Sequence, residues 1–204
     1  MRLAEARRDQ YRKLAKDHGY RARSAYKLLQ LNNSYHILKK GDKVVDLGCA
    51  PGGWLQVATK QIGFAGKVVG IDLKEVNPIA GATVLQGSIE DQSTAKKIID
   101  ILGDRADVVL SDLAPNVSGM WSVDHARQIS LTENALGLAK QVLKEGGTAV
   151  FKVFDGEMLN ELRTELKNNF AKVLLSKPTA SRQESSELYI ICTKFKQVQQ
   201  QLLR

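Results

Sequence analysis

Apolar positions in the chain fall into short blocks of two kinds. Val44, Val45 and Leu47 make one compact run, and Lys67-Val-Val-Gly-Ile-Asp72, Thr83-Val-Leu-Gln-Gly87, Ala106-Asp-Val-Val-Leu-Ser-Asp112 and Thr148-Ala-Val-Phe-Lys-Val-Phe154 repeat it. Runs this short and continuous read as strands buried on both faces. Between them, apolar residues recur at helical spacing over residues 54–62, 92–102, 124–145 and 158–168. Ile98, Ile99 and Leu102 mark the inward face of the second of these helices, and Gly146-Gly147 marks a stop for the third. Residues 173–175 and 188–192 read as two closing strands, and the last ten residues as a polar tail. Ahead of the first strand, residues 1–18 predict a helix stopped by Gly19. Ser24 predicts an N-cap for a second helix over residues 25–35, whose Leu28, Leu31 and Tyr35 pack on the body. Position alone marks Lys27 as a surface lysine of that helix.

Strands alternating with helices predict an α/β fold, with a mostly parallel sheet covered on both faces. The 204 residues are enough for a single domain with one sizeable core. Ligands in such sheets bind beyond the carboxyl ends of the strands, where the strand order reverses. Asp46, Asp72 and Asp112 all fall at or near those ends. After Asp46 the chain turns through Gly48, Gly52 and Gly53 into the helix opened by Trp54. Such a strand, glycine turn and helix form a nucleotide cradle, because backbone without a Cβ can approach a ligand closely. The dinucleotide fingerprint is missing, since position 50 is alanine and position 51 is proline, and so is the phosphate loop. The turn brings no cation to meet a pyrophosphate. Asp72 stands 24 residues after Gly48, about where an acid reaches ribose hydroxyls. An acid-flanked cradle suits S-adenosylmethionine, with its sulfonium and ammonium charges; the alternative is a tight turn with no ligand.

Charge changes the picture at one end only. Residues 1–40 hold 11 of the 30 Lys and Arg but 3 of the 22 Asp and Glu, whereas the rest of the chain is balanced. The whole excess of +8 therefore lies in an N-terminal extension. Such a stretch is the usual footprint of a polyanion partner, or else a solvated helix. No apolar run reaches the length of a membrane span, and the N-terminus is charged, against a secretory signal. Cys49 and Cys192 stand far apart, and His18, His36 and His125 show no ligand spacing, so the expectation is a cytoplasmic protein without a metal site.

Lys152 is the lone charge inside an apolar strand and needs a partner, for which Asp112 is the natural candidate. A structural Lys–Asp pair is one reading. The segments Asp46-Leu-Gly-Cys-Ala-Pro-Gly-Gly-Trp54, Ser111-Asp-Leu-Ala-Pro-Asn-Val-Ser-Gly119, Phe151-Lys-Val-Phe154 and Ser186-Glu-Leu-Tyr-Ile190 add another. In this order they resemble the FtsJ/RrmJ family of ribose 2′-O-methyltransferases, over residues 21–196.

The resemblance implies a Rossmann-like class I S-adenosylmethionine-dependent methyltransferase of seven strands, the last antiparallel. It implies a catalytic tetrad at Lys27, Asp112, Lys152 and Glu187, with Lys152 accepting the proton. It places the cofactor at Gly48, Pro51, Gly52, Trp54, Asp72, Leu73, Ser88, Ile89 and Asp112. Ser88 departs from the acid the family often carries there, so Glu90 or Asp91 is a substitute at the adenine. The basic extension, with Arg7, Arg8, Arg12, Lys13, Arg21 and Arg23, is expected to grip RNA phosphates. Within the family, chains of this form resemble the large-subunit ribosomal RNA enzymes; tRNA is the alternative substrate. The expectation is a monomer.

To act as a base Lys152 must be neutral. Phe151 and Val153 are expected to desolvate it and Lys27 to repel its charge, whereas Asp112 favours the charged form. A lysine that stays charged and steers the hydroxyl is the milder alternative. From other classes, a nicotinamide-dependent dehydrogenase lacks its glycine pattern, and a non-catalytic RNA-binding protein leaves the tetrad unexplained.

Overall fold

The computed structural model describes residues 3–182 and 185–197, with side chains of the first helix from residue 10 onward. The chain runs α1 (Leu3–Asp17), α2 (Ala25–Tyr35), β1 (Lys43–Leu47), α3 (Gly53–Ile62), β2 (Lys67–Asp72), β3 (Ala82–Gln86) and α4 (Thr94–Leu102). It continues through β4 (Ala106–Ser111), α5 (Trp121–Val142), β5 (Leu143–Phe154), α6 (Leu159–Asn169), β6 (Phe170–Ser176) and β7 (Glu187–Phe195). The strands form one seven-stranded sheet in the order β3-β2-β1-β4-β5-β7-β6. β7 runs antiparallel to both neighbours, and the other pairings are parallel. Strand order reverses between β1 and β4, so a crevice opens at their carboxyl ends.

Both faces are covered because successive strand residues point to opposite sides. Val45, Leu47, Val69, Ile71, Val109 and Phe151 join Ile98, Leu102, Ile129 and Leu162 of α4, α5 and α6. Val44, Val68, Val108 and Val150 join Leu28, Leu31, Leu55 and Val57 of α2 and α3. Each fully buried side chain of this kind stabilises the fold by about 1.5–3 kcal/mol. The buried face of α2 thus anchors the N-terminal region to the sheet.

Both ends of α5 and the cap of α2 differ from the sequence reading. α5 begins at Trp121, because the Asp124 carboxylate accepts hydrogen bonds from the Ser118 N–H (2.7 Å), the Ser118 hydroxyl (2.8 Å) and the Gly119 N–H (3.1 Å). The same helix stops at Val142 rather than at Gly146-Gly147. There the Arg105 guanidinium donates to the carbonyls of Gln141 (2.7 Å) and Leu143 (3.2 Å), and Leu143 pairs with Ala106 as the start of β5. The two glycines belong to the irregular opening of β5, where the register shifts between Ala106 and Val108. Finally, Ser24 occupies the N-cap position of α2 but makes no side-chain cap bond. Its carbonyl instead accepts the Trp54 indole N–H at 2.8 Å.

Among the described residues, no helix is long and apolar enough to cross a membrane, and no group of three His, Cys, Asp or Glu could hold a metal. Cys49 and Cys192 are buried and unpaired with each other, and burial pushes both thiols far above their ordinary range.

Candidate active site

A cleft of about 720 Å³ lies beyond the carboxyl ends of β1, β2 and β4. Gly48, Asp72, Leu73, Ser88, Ile89 and Asp112, all marked from the sequence, line it. Gly48 adopts φ +75°, and a Cβ there would lie 2.5 Å from Leu113, so the turn after β1 closes only with glycine. The Asp72 carboxylate is fixed by the Ala50 N–H (2.9 Å) and the Lys74 N–H (2.8 Å). Ser88 uses its hydroxyl locally, accepting the Glu90 N–H at 3.1 Å. Of the two acids that follow, Glu90 lines the cleft and Asp91 does not. Asp46 is completely buried, and neither carboxylate oxygen has a hydrogen-bond partner. Burial first, then the neighbouring Asp112 and Asp72 charges, raise its carboxyl well above the usual range. The ends of β1, β2 and β4 thus gather three carboxylates.

Next to this cleft the tetrad residues meet in two ion pairs. The Lys152 Nζ donates to the Asp112 carbonyl at 2.7 Å and lies 3.3 Å from Asp112 Oδ1. Lys27 pairs with Glu187 Oε1. Both lysines are 7% exposed, so Lys27 is no surface lysine. Strand register creates the juxtaposition: Lys152 lies opposite Tyr189 and Phe154 opposite Glu187. Burial tends to raise the Glu187 carboxyl, but the Lys27 charge and hydrogen bond, the Lys152 charge and the Tyr189 hydroxyl outweigh it and hold it below its ordinary range. Phe151 and Val153 do not surround the Lys152 side chain, contrary to the expectation that they desolvate it. Both belong to the core on the α5 side of the sheet, whereas Val150 and Tyr189 pack on the other. Alternation along β5 therefore puts Lys152 with Tyr189, away from its sequence neighbours.

Sequence reasoning missed Tyr189 as part of this cluster. Its hydroxyl lies 2.7 Å from Asp112 Oδ1 and 3.2 Å from Glu187 Oε1, sharing its one proton between these carboxylates, with Asp112 the closer acceptor, and joining the two ion pairs. Burial, then the Asp112 and Glu187 charges, push the phenol well above its usual range, so it stays a neutral donor. Its spacing two residues after Glu187 in an apolar strand was the available signal. The Ser181 hydroxyl lies 3.2 Å from the same Glu187 oxygen. The Gln128 amide (3.0 Å) and Thr132 hydroxyl (3.2 Å) donate to the Lys152 carbonyl, fixing that strand end from α5. Arg127 and Asn134 also line the cleft.

Other expected residues lie elsewhere. Pro51, Gly52 and Trp54 are not part of the cleft lining. Trp54 is buried behind it, with its ring 5.7 Å from that of Tyr189. Arg21 is a tie between loops, donating to the carbonyls of Pro51 (3.3 Å), Asn77 (2.6 Å) and Pro78 (2.7 Å). Its N–H also donates to Gln56 Oε1 at 2.8 Å, and Gln56 Nε2 to the Gly19 carbonyl at 2.9 Å. These bonds engage the Arg21 guanidinium within the protein, contrary to the expectation that it grips RNA phosphates. Arg12 and Lys13 are exposed on α1, and Arg23 is half-buried. Arg7 and Arg8 lie outside the residues whose side chains are described.

The profile of the FtsJ-like methyltransferase family matches residues 20–195. A ribosomal RNA large subunit methyltransferase E of Nitrosopumilus maritimus is 51% identical over 96% of this chain and 99% of its own length. One of Methanosarcina mazei is 52% identical over 95% of this chain and 72% of its own. The crystal structure of a ribosomal RNA methyltransferase from Plasmodium falciparum superposes with a TM-score of 0.79 at 34% identity, over 86% of this chain and 98% of that one. With its family match spanning the sheet, the cleft and the tetrad, the chain belongs to the FtsJ-like methyltransferases.

Proposed function

We propose that this methyltransferase moves a methyl group from S-adenosylmethionine to the 2′-hydroxyl of a ribose in large-subunit ribosomal RNA. The observation that carries the reading is Lys152, buried and held on Asp112 at the edge of a cleft ringed by carboxylates. The names of relatives sharing half their residues with this chain support ribosomal RNA as the substrate.

The donor set fits the cofactor. Asp72 and Asp112 line the cleft and make a negative field, and Asp46, whose two buried oxygens are orphaned, lies beside them with its carboxyl held in the neutral form. That field favours a sulfonium and an ammonium and repels a pyrophosphate. Asp72 would meet the ribose hydroxyls, and Ser88, Ile89 and Glu90 the adenine. Gly48 and Asp112 would flank the methyl-bearing end, while Trp54 and Arg21 brace the cradle from behind. Bound there, the cofactor supplies an electrophilic methyl carbon, so the protein must align the hydroxyl and remove its proton.

In this reading Lys152 Nζ takes the 2′-hydroxyl proton. Asp112 aims the amine through two contacts, and Tyr189 fixes Asp112. Lys27, set by Glu187, lies on the RNA side of the cluster, and Arg12 and Lys13 hold phosphates farther out. Phosphate contacts of that kind position the RNA without reading its sequence. The enzyme is further taken to be a cytoplasmic monomer. Mapping 2′-O-methyl groups in ribosomal RNA from cells with and without the gene tests the substrate. Loss of one large-subunit ribose methyl is expected; an unchanged map with a missing tRNA methyl would overturn the assignment.

A further inference from the structure

We infer that Trp121 and the side chains around it form a stacking platform for one unpaired base of the RNA, next to the reacting ribose. The inference rests on the RNA-methylating function proposed above. Trp121 is 51% exposed, although its ring is stacked near-parallel with two others. It lies 5.8 Å from His125 at 20° and 5.9 Å from Phe154 at 28° between ring planes. Met120, at 63%, and Met158, at 39%, add exposed apolar surface beside it. Single exposed apolar residues need no explanation, but a cluster built on Phe154, two residues beyond Lys152 in the same strand, does.

This cluster is built, and it adjoins the chemistry. Asp124 pins the loop before Trp121 through Ser118 and Gly119. The Met158 N–H donates to His125 Nε2 at 3.2 Å, tying the loop after β5 to the first turns of α5. Gly156 lies flat on the same imidazole, where a Cβ would come within 2.6 Å of the ring. The near-parallel array is therefore held from two loops before any partner arrives. Phe154, its inner ring, is two residues beyond Lys152 and sits opposite Glu187 in the strand register. An RNA whose ribose hydroxyl reaches Lys152 must lay a base within a nucleotide's reach of Phe154. A half-open indole stack flanked by thioethers suits a flat base, since stacking accepts any base and requires it unpaired. Protein partners bury larger patches, and nothing in the array selects for one.

The test uses a fluorescent single-stranded oligouridylate and a blunt RNA duplex of equal length, titrated with full-length wild type, Trp121→Ala and Trp121→Phe. Trp121→Ala should weaken binding of the single strand about 5- to 150-fold, the range of one base–aromatic stack. Trp121→Phe should recover most of the loss, and duplex binding should not change. Equal weakening on strand and duplex, or no weakening, overturns the platform. So does a Trp121→Ala defect seen only on assembled large subunits, which would assign the patch to a protein. Methyl transfer by wild type is measured alongside. If it fails while the single-strand defect holds, the methyltransferase reading falls and the platform stands. Because Trp121 is half exposed, a folding defect is excluded by matching thermal midpoints.

Discussion

Tyr189 holds Asp112: the phenolic hydroxyl and Asp112 Oδ1 are 2.7 Å apart at the end of β4, and Glu187 Oε1 is 3.2 Å from the same hydroxyl. One buried group thus sets the positions of both carboxylates that pair with lysines. Tyr189→Phe removes the donor and keeps the ring against Trp54. It should slow methyl transfer about tenfold with unchanged S-adenosylmethionine affinity. It should also cost about 1.5–3 kcal/mol of stability, the worth of one hydrogen bond to a charged group. Single-turnover rates, calorimetric titration and urea denaturation read the three quantities.

Glu187 couples the site to acid stability. Its carboxyl is held below its ordinary value of 4.5, chiefly by Lys27 acting against burial. A depressed carboxyl contributes stability that is present above its unfolded value and lost as pH falls through the folded one. Wild type should therefore exceed Glu187→Gln by about 3–5 kcal/mol at pH 7, the cost of leaving Lys27 buried without its partner. That gap should narrow as pH falls below 4.5. Denaturation curves for both proteins between neutral and acid pH check it; a gap independent of pH would contradict the role of the pair.

Asp46 has the opposite sign. A carboxyl raised by burial and by Asp112 and Asp72 favours the fold at low pH and opposes it as pH rises. Asp46→Asn should leave the ligand-free protein more stable than wild type at pH 8, with the advantage gone near pH 4. The same change should leave S-adenosylmethionine binding at pH 8 nearly unchanged, because burial already holds the carboxyl it replaces in the neutral form. Thermal midpoints and cofactor titrations at the two pH values decide it.

Much of this was legible in the sequence. Short apolar runs revealed five parallel strands, three of them with an acid at or near the carboxyl end, and Lys152 stood out as one charge among bulky neighbours. What stayed hidden depends on contacts between distant segments. Tyr189 in an apolar strand reads as core until register puts it beside Lys152. Phe151 and Val153 look like the lysine's surroundings until alternation turns them away. Gly146-Gly147 looks like a helix stop, yet Arg105, distant in sequence, ends α5 earlier. Trp121 follows a loop, with no periodicity to flag it. Arg21 counts as one more cation until its three carbonyl partners are seen.

That last distinction separates two kinds of arginine in the extension. Replacing Arg12 and Lys13 with Gln should flatten the dependence of RNA affinity on salt, by about 0.7–0.9 per lost phosphate contact in log–log slope. Arg21→Ala should leave that slope unchanged and weaken S-adenosylmethionine binding instead, because Pro51 and the segment at Asn77 and Pro78 lose their tie. RNA titrations at several salt concentrations, beside cofactor titrations, separate the two effects.

The central claim is that Lys152 takes the proton from a ribose 2′-hydroxyl. Its most direct measurement is the single-turnover rate of methyl transfer from labelled S-adenosylmethionine to unmethylated large-subunit ribosomal RNA, for wild type and Lys152→Ala at saturating cofactor. Wild type should label one ribose, and Lys152→Ala should be slower by about 10²–10⁴, the usual worth of a positioned acid or base, while binding the cofactor as tightly. A variant that keeps more than about a tenth of the rate, below that range, would contradict it.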